Sequence, residues 1–177
     1  MIPRRPDSPD SVLFARLVDA RIGQGDWHLL GLDSHALGAL IDHHFVDDAP
    51  LEMSHEIAAP QHPFFDELHG LLVWNDVTAN EHKEDARCLA SIIAAASLRP
   101  DHLWRDLGLS GRDDVTAMLE RHYPQLVARN VENLRWKKFL AQEVAHARGE
   151  APTCAPGCPG CEDFSFCYPG VAPLRRN

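Results

Sequence analysis

Leu107-Gly-Leu109-Ser110-Gly-Arg-Asp113-Asp-Val115-Thr-Ala117-Met118-Leu119-Glu120-Arg121-His122-Tyr123-Pro124 is the stretch that decides the fold class. Val115, Met118, Leu119 and His122 recur three and four residues apart, the spacing of one helix face and not the alternation of a strand. Ser110 with Asp113 reads as an acidic variant of the capping box, and Tyr123-Pro124 breaks the helix. The pattern has a counterpart upstream. Leu30-Gly-Leu32 precedes Leu37-Gly-Ala39-Leu40-Ile41-Asp42-His43-His44-Phe45, and Phe14-Ala15-Arg16-Leu17-Val18 lines up with Leu89-Ala90-Ser91-Ile92-Ile93. Either amphipathic helices resemble one another by chance, or the chain holds two related three-helix units, over about residues 10–78 and 84–148.

The same period runs through the rest. Ser8-Pro9-Asp10 reads as cap and first turn of a helix carrying Phe14, Leu17, Val18 and Arg21, ended at Gly23 to Gly25. Asp33 caps the helix of Leu37, Leu40, Ile41 and His44. Pro63 opens a third, with Phe65, Leu68 and Leu72 on one side. Thr78 or Asn80 starts a fourth, through Ala86, Leu89, Ile93 and Ala96 to Pro100. Asp101 caps a short turn that stops at Gly108. Asn130 caps the last long helix, with Trp136, Leu140 and Val144, ending at Gly149. No strand is expected, for want of β-branched runs or Asn-Gly hairpins. The expectation is an all-α domain of about six to eight helices over residues 8–149, after a disordered N-terminus of residues 1–7.

The tail, residues 150–177, is different in kind. Four of the five cysteines fall in Cys154-Ala-Pro-Gly-Cys158-Pro-Gly-Cys161-Glu-Asp-Phe-Ser-Phe-Cys167, separated by three, two and five residues. Pro156, Gly157, Pro159 and Gly160 turn the backbone in those gaps. Thiolates converging on one small object need short, tightly turning gaps, so the tail reads as a metal-binding loop. Three metal readings compete. Structural zinc is served by two knuckles with a longer stretch between them, and only one short knuckle is present. An iron–sulfur cluster is wider than one ion and accepts consecutive cysteines, with Gly157 and Gly160 leaving backbone N–H groups near the sulfides. The gaps of Cys154, Cys158 and Cys161 also match a radical S-adenosylmethionine triad, but that class needs a large α/β barrel after the triad, and sixteen residues follow Cys161. A reduced, unliganded tail or a disulfide pair is the bland alternative. Cys88, among Ala, Leu and Ile, reads as a buried structural thiol.

Composition sets bounds. The chain has 177 residues, 45% hydrophobic and 24% charged, with a formal net charge of −9. That fits one ordinary globular domain and opposes non-specific binding to nucleic acid or anionic membranes. No apolar run approaches the ~18–20 residues of a membrane span, and the N-terminus lacks a secretory signal, so the expected compartment is cytoplasmic. Eleven histidines keep imidazole ligands in view. His44 and His122 hold matching places in the apparent repeat, each on an apolar stripe, where a backbone-bonded core histidine is the plain reading. Arg129, Arg135, Lys137 and Lys138 place positive charge just before the tail. It offsets an anionic cluster on one reading, and is a solvated helix face on the other.

Asp101-His-Leu-Trp-Arg-Asp-Leu-Gly-Leu109, Leu119-Glu-Arg-His-Tyr-Pro124, Ala128-Arg-Asn130 and Asn133-Leu-Arg-Trp-Lys-Lys-Phe139, followed by the cysteines, resemble the NifQ family of nitrogen-fixation proteins. The likeness is close over residues 85–169 and looser before. The family has four residues between its first two cysteines where this chain has three. Cys158, Cys161 and Cys167 therefore match cleanly, and Cys154 only if the loop adjusts. The resemblance implies a carrier and not a turnover enzyme: an iron–sulfur protein holding a molybdenum–iron–sulfur cluster and supplying molybdenum for the nitrogenase iron–molybdenum cofactor. It implies Cys154, Cys158, Cys161 and Cys167 as ligands, and the cofactor-assembly proteins NifEN and NifH as partners. His122, or His102 in the family turn, is the candidate non-thiolate ligand. The rival expectations are a zinc-stabilised helical interaction module and a small iron–sulfur electron-transfer protein.

Overall fold

The computed structural model describes residues 1–22, 25–46 and 58–171. Among them the expectation of an all-α domain holds. The helices are α1 (Pro9–Ile22), α2 (Ser34–His44), α3 (Pro63–Asn75), α4 (Lys83–Ser97), α5 (Leu103–Leu107), α6 (Arg112–His122), α7 (Pro124–Arg129), α8 (Trp136–Ala147) and α9 (Phe164–Cys167), with 3-10 turns at Trp27–Leu30 and Cys158–Gly160. The only β pairing among the described residues is one antiparallel bridge, Pro3 with Phe45. Gly23 lies outside the described residues, as do residues 47–57 of the loop expected between α2 and α3.

Most helix starts follow local chemistry. Ser8 Oγ accepts from Ser11 N, Asp33 Oδ1 accepts from Ala36 N at 2.8 Å, and Pro63 stands in the first turn of α3. Three starts differ from expectation, each because a side chain closes a turn before the helix. Asp76 Oδ1 takes both the N–H and the hydroxyl of Thr78, so residues 78–81 form a turn and α4 begins at Lys83. Asp114, not Asp113, accepts from Ser110 N, one residue out of capping-box register, and Gly111 is the N-cap of α6. Asn130 spans its own loop instead of capping α8. Its Oδ1 accepts from Leu134 N and its Nδ2 donates to Leu134 O, which delays α8 to Trp136. Such side-chain rings compete directly with helix formation.

Helix α4 is the axis of the core. From Ala86 to Ser97 almost every residue is buried, and its alanines let α3, α2 and α5 approach closely. Leu37, Leu40, Ile41, Phe65, Leu68, Leu72, Val115, Met118, Leu119 and Leu140 are buried as their spacing required. Cys88 is buried too, and burial pushes its thiol up to about 12.

The two sequence-related units clasp each other reciprocally. Gly31, after the first 3-10 turn, has φ +69, and a Cβ there would meet Ala95 Cβ of α4 at 2.5 Å. Gly108, after α5, has φ +73, and a Cβ would meet Ala20 Cβ of α1 at 2.1 Å. Ala20 and Ala95 correspond under the same 75-residue offset that aligns Phe14 with Leu89. The histidines follow suit. His44 at the end of α2 lies 3.0 Å from Asp85 in α4, and His122 at the end of α6 lies 3.3 Å from Asp10 in α1. His44 O accepts from Arg4 N and His122 O from Val77 N, each in the segment before the unit's first helix. Residues 1–7, expected to be disordered, thus have a place: Val46 N donates to Ile2 O, and Arg4 Nη2 to Phe45 O.

Two outcomes follow from this packing. Gly108→Ala forces a left-handed residue into Ala20 and is expected to lower unfolding stability by about 2 kcal/mol, whereas Gly38→Ala, inside α2 with open space around it, raises it by roughly 0.5–1 kcal/mol. Urea unfolding of both variants measures the contrast, and equal effects would contradict the clasp.

The second concerns pH. Burial works to lower the His122 pKa, but bonds to Asp10 and Asp76 outweigh it and raise it above the ordinary value. Its stabilising charge is therefore fully present below the unfolded value of about 6.5 and is lost as pH rises through the higher folded value. Wild-type stability should fall in that window, and His122→Gln should flatten the fall. A variant with the wild-type slope would refute the assignment.

Candidate metal centre

The tail is docked, not free. Gly157 lies so close to the end of α4 that a Cβ there would stand 1.8 Å from Arg99 O, a position only glycine can occupy. Ala155 is 0% exposed and packs with Ala141, Cys158 and Phe164 in a small second core, with Phe64 and Tyr168 at its edge. The Pro-Gly steps then carry the chain through the 3-10 turn into α9, which is short because Asp163 O accepts from Cys167 N and Pro169 follows at once.

This path brings three of the four tail cysteines to one cleft. Cys158, Cys161 and Cys167 line it, facing His102, Trp104 and the start of α8. Cys158 is 8% exposed, and the other two are half-buried. Cys154 faces a neighbouring groove with Thr153, Pro156 and Val144, although its charge is felt at Cys158. The four are free thiols.

The floor of the cleft is cationic. Lys137, buried, gives its ammonium to Asp106 Oδ2 and donates to Arg99 O at 2.8 Å, while Arg99 Nε lies 3.4 Å from Asp106 Oδ1. Asp106 also accepts from Asp101 N, which ties the family turn to α8. Burial pushes the Cys158 thiol up to about 11 against the pull of Lys137, so metal binding must displace its proton. Cys167 is also raised by burial, with Lys138 and Arg135 acting in the opposite sense. Lys138 Nζ donates to Cys167 O at 2.6 Å, and Arg135 Nη2 to Asp163 Oδ2 at 2.9 Å. Arg129 does not join them and pairs with Glu143. Tyr168 completes the surroundings. Its hydroxyl is buried against the thiols, and its pKa is raised by burial, by the neighbouring sulfurs and by its contact with Cys158, toward which it acts as donor. A hydroxyl donor already facing a cysteine sulfur is one that a sulfide or thiolate could also use.

The two candidate histidines separate. His102 lines the cleft, its Nε2 lying 3.4 Å from Glu162 and 3.5 Å from Asp163. Asp101, His102 and Glu162 are grouped tightly, but the Arg105 guanidinium already lies between the carboxylates, at 3.1 Å from Asp101 and 2.9 Å from Glu162. His122 is not in the cleft. It is buried between Asp10, Asp76 and Thr78, where its ring nitrogens join helices and stand away from the cysteines. Asp106, Arg99 and Tyr168 were not singled out from sequence. Asp106 gave a signal, being a carboxylate on the inner side of the short helix between Leu103 and Leu107, but its partners lie 7 residues upstream and 31 downstream.

No helix among the described residues is long and apolar enough to cross a membrane. No solved structure is a significant match to the chain. Relatives are found by sequence. The chain is 43% identical over 79 residues to the NifQ homolog of Sinorhizobium fredii, covering 45% of this chain and 34% of that protein. It is 34% identical over 152 residues to NifQ of Azotobacter vinelandii, covering 78% and 76%, and 40% identical over 87 residues to NifQ of Klebsiella pneumoniae, covering 49% and 52%. The match thus spans about a third, three quarters and a half of those relatives. The family model described as NifQ matches residues 13–169, across the helical body and all four tail cysteines, and the chain belongs to the NifQ family.

Proposed function

We propose that this protein is an iron–sulfur molybdenum carrier that acts in nitrogen fixation, supplying molybdenum for assembly of the nitrogenase iron–molybdenum cofactor, and that it is a carrier rather than a catalyst. Family membership supports the setting. The observation that carries the chemistry is the cleft itself: Cys158, Cys161 and Cys167 line it with the buried Lys137 and with Tyr168, whose hydroxyl faces Cys158. Soft sulfur donors suit iron–sulfide and thiomolybdate cargo, and a cationic floor offsets its negative charge. Residues of this chain then have distinct tasks. Cys158, Cys161 and Cys167 hold the cargo, with Cys154 reaching it through a loop adjustment. Tyr168 donates to a sulfur. His102, on the wall, offers an imidazole to an exchangeable metal. The half-buried setting of Cys161 and Cys167 leaves a way in and out, as handover to NifEN or NifH requires.

Protein purified without oxygen should be brown and contain iron and labile sulfide, with molybdenum rising when molybdate is supplied. A colourless protein with one tight zinc would overturn the proposal. Cys158→Ser, Cys161→Ser and Cys167→Ser should each lose most of the iron, and Cys154→Ser less. Gly157→Ala should lose iron while keeping helix content, because it lifts the loop off Arg99. Lys137→Met leaves the half of Asp106 that it neutralised without a buried partner and should cost roughly 3 kcal/mol in urea unfolding. Unchanged iron in Gly157→Ala, or unchanged stability in Lys137→Met, would remove these roles.

A further inference from the structure

Outside the cysteine cleft, two adjacent histidines gather on one carboxylate oxygen. His43 Nδ1 lies 3.2 Å and His44 Nε2 3.0 Å from the same oxygen of Asp85, and the three ligand atoms all lie within 4.8 Å of one another. His44 is 1% exposed. Its Nε2 and His43 Nδ1 both meet the carboxylate oxygen, the latter as a hydrogen bond, while His44 Nε2, like His122 Nε2 in the other unit, has no well-aligned one. Its other ring nitrogen is 3.0 Å from Ser11 Oγ, a hydroxyl able to accept from Nδ1–H in the tautomer whose Nε2 is free to ligate.

The related unit shows what fills that point. There His122 lies 3.3 Å from Asp10, and the residue before it is Arg121, whose Nε and Nη2 donate to both oxygens of Asp10 at 2.7 and 3.1 Å. A built-in cation thus occupies the corner between histidine, carboxylate and the preceding residue. At the matching corner the chain has His43, which is half-exposed and neutral when its Nε2 accepts from Arg5 Nη2 at 2.9 Å. The carboxylate there has no fixed cation of its own among the described residues.

We propose that His43 Nδ1, His44 Nε2 and Asp85 Oδ1 form a binding site for a divalent transition-metal ion of the zinc class, which joins the end of α2 in one unit to the first turn of α4 in the other. Two imidazoles and one carboxylate are a donor set that zinc takes, with water in the fourth position. Binding moves the His43 proton from Nδ1 to Nε2, so the exposed Arg5 contact is exchanged for the metal. The ion supplies from solution the charge that Arg121 supplies covalently on the other side. This site is independent of the cysteine cargo.

The test uses the untagged full chain with the four tail cysteines replaced by serine, titrated calorimetrically with zinc chloride. One equivalent is expected to bind and to raise the unfolding temperature. His43→Arg, which reproduces the Arg121 arrangement, should fold normally, weaken zinc binding roughly 100-fold or more, and lose the zinc-dependent rise. His43→Ala should lose the same equivalent. Equal zinc stoichiometry and affinity in the parent, His43→Arg and His43→Ala would overturn the proposal, as would absence of zinc binding by the folded parent.

Discussion

The Lys137–Asp106 ion pair is the joint on which the rest of the cysteine cleft depends. It fastens α8 to α5. Through Arg99 it fixes the end of α4, and through Asp101 N it shapes the turn that carries His102. Buried pairs of this kind add little net stability, because desolvation consumes most of the Coulomb gain. What they supply is position and charge. Two cations on one carboxylate leave excess positive charge beneath Cys158, where an anionic cargo would sit.

The clasp between the two units explains why such a joint can be held rigid. Each unit's glycine turn presses on the other unit's first helix, and each unit's terminal histidine reaches across to an aspartate there. Neither unit can shed the other without opening the α4 core. The cysteine tail then needs only two fixed points, Gly157 on Arg99 and Ala155 in the small second core, to adopt one path.

The departures from repeat symmetry are informative. The cysteine tail follows the second unit alone and rests on α8, that unit's third long helix. The change from Arg121 to His43 replaces a permanent cation with an imidazole at otherwise matching corners. Differences at equivalent positions of one scaffold point to chemistry, since packing alone asks the same of both.

Sequence by itself determined the helices and their buried faces, because a period of 3.6 is written in which residues are apolar. It also determined that the tail cysteines lie close together along a tightly turning path, because short Pro-Gly gaps leave the backbone few ways to run. It misplaced the starts of α4, α6 and α8, where Asp76, Asp114 and Asn130 close local rings that compete with capping on nearly equal terms. Only the tertiary structure decided that Cys154 faces a different groove from its three neighbours, that His102 stands at the cleft while His122 joins two helices, and that Asp106 lies between Lys137 and Arg99. Those facts depend on which distant residue desolvates or neutralises a side chain, and no local pattern carries that information.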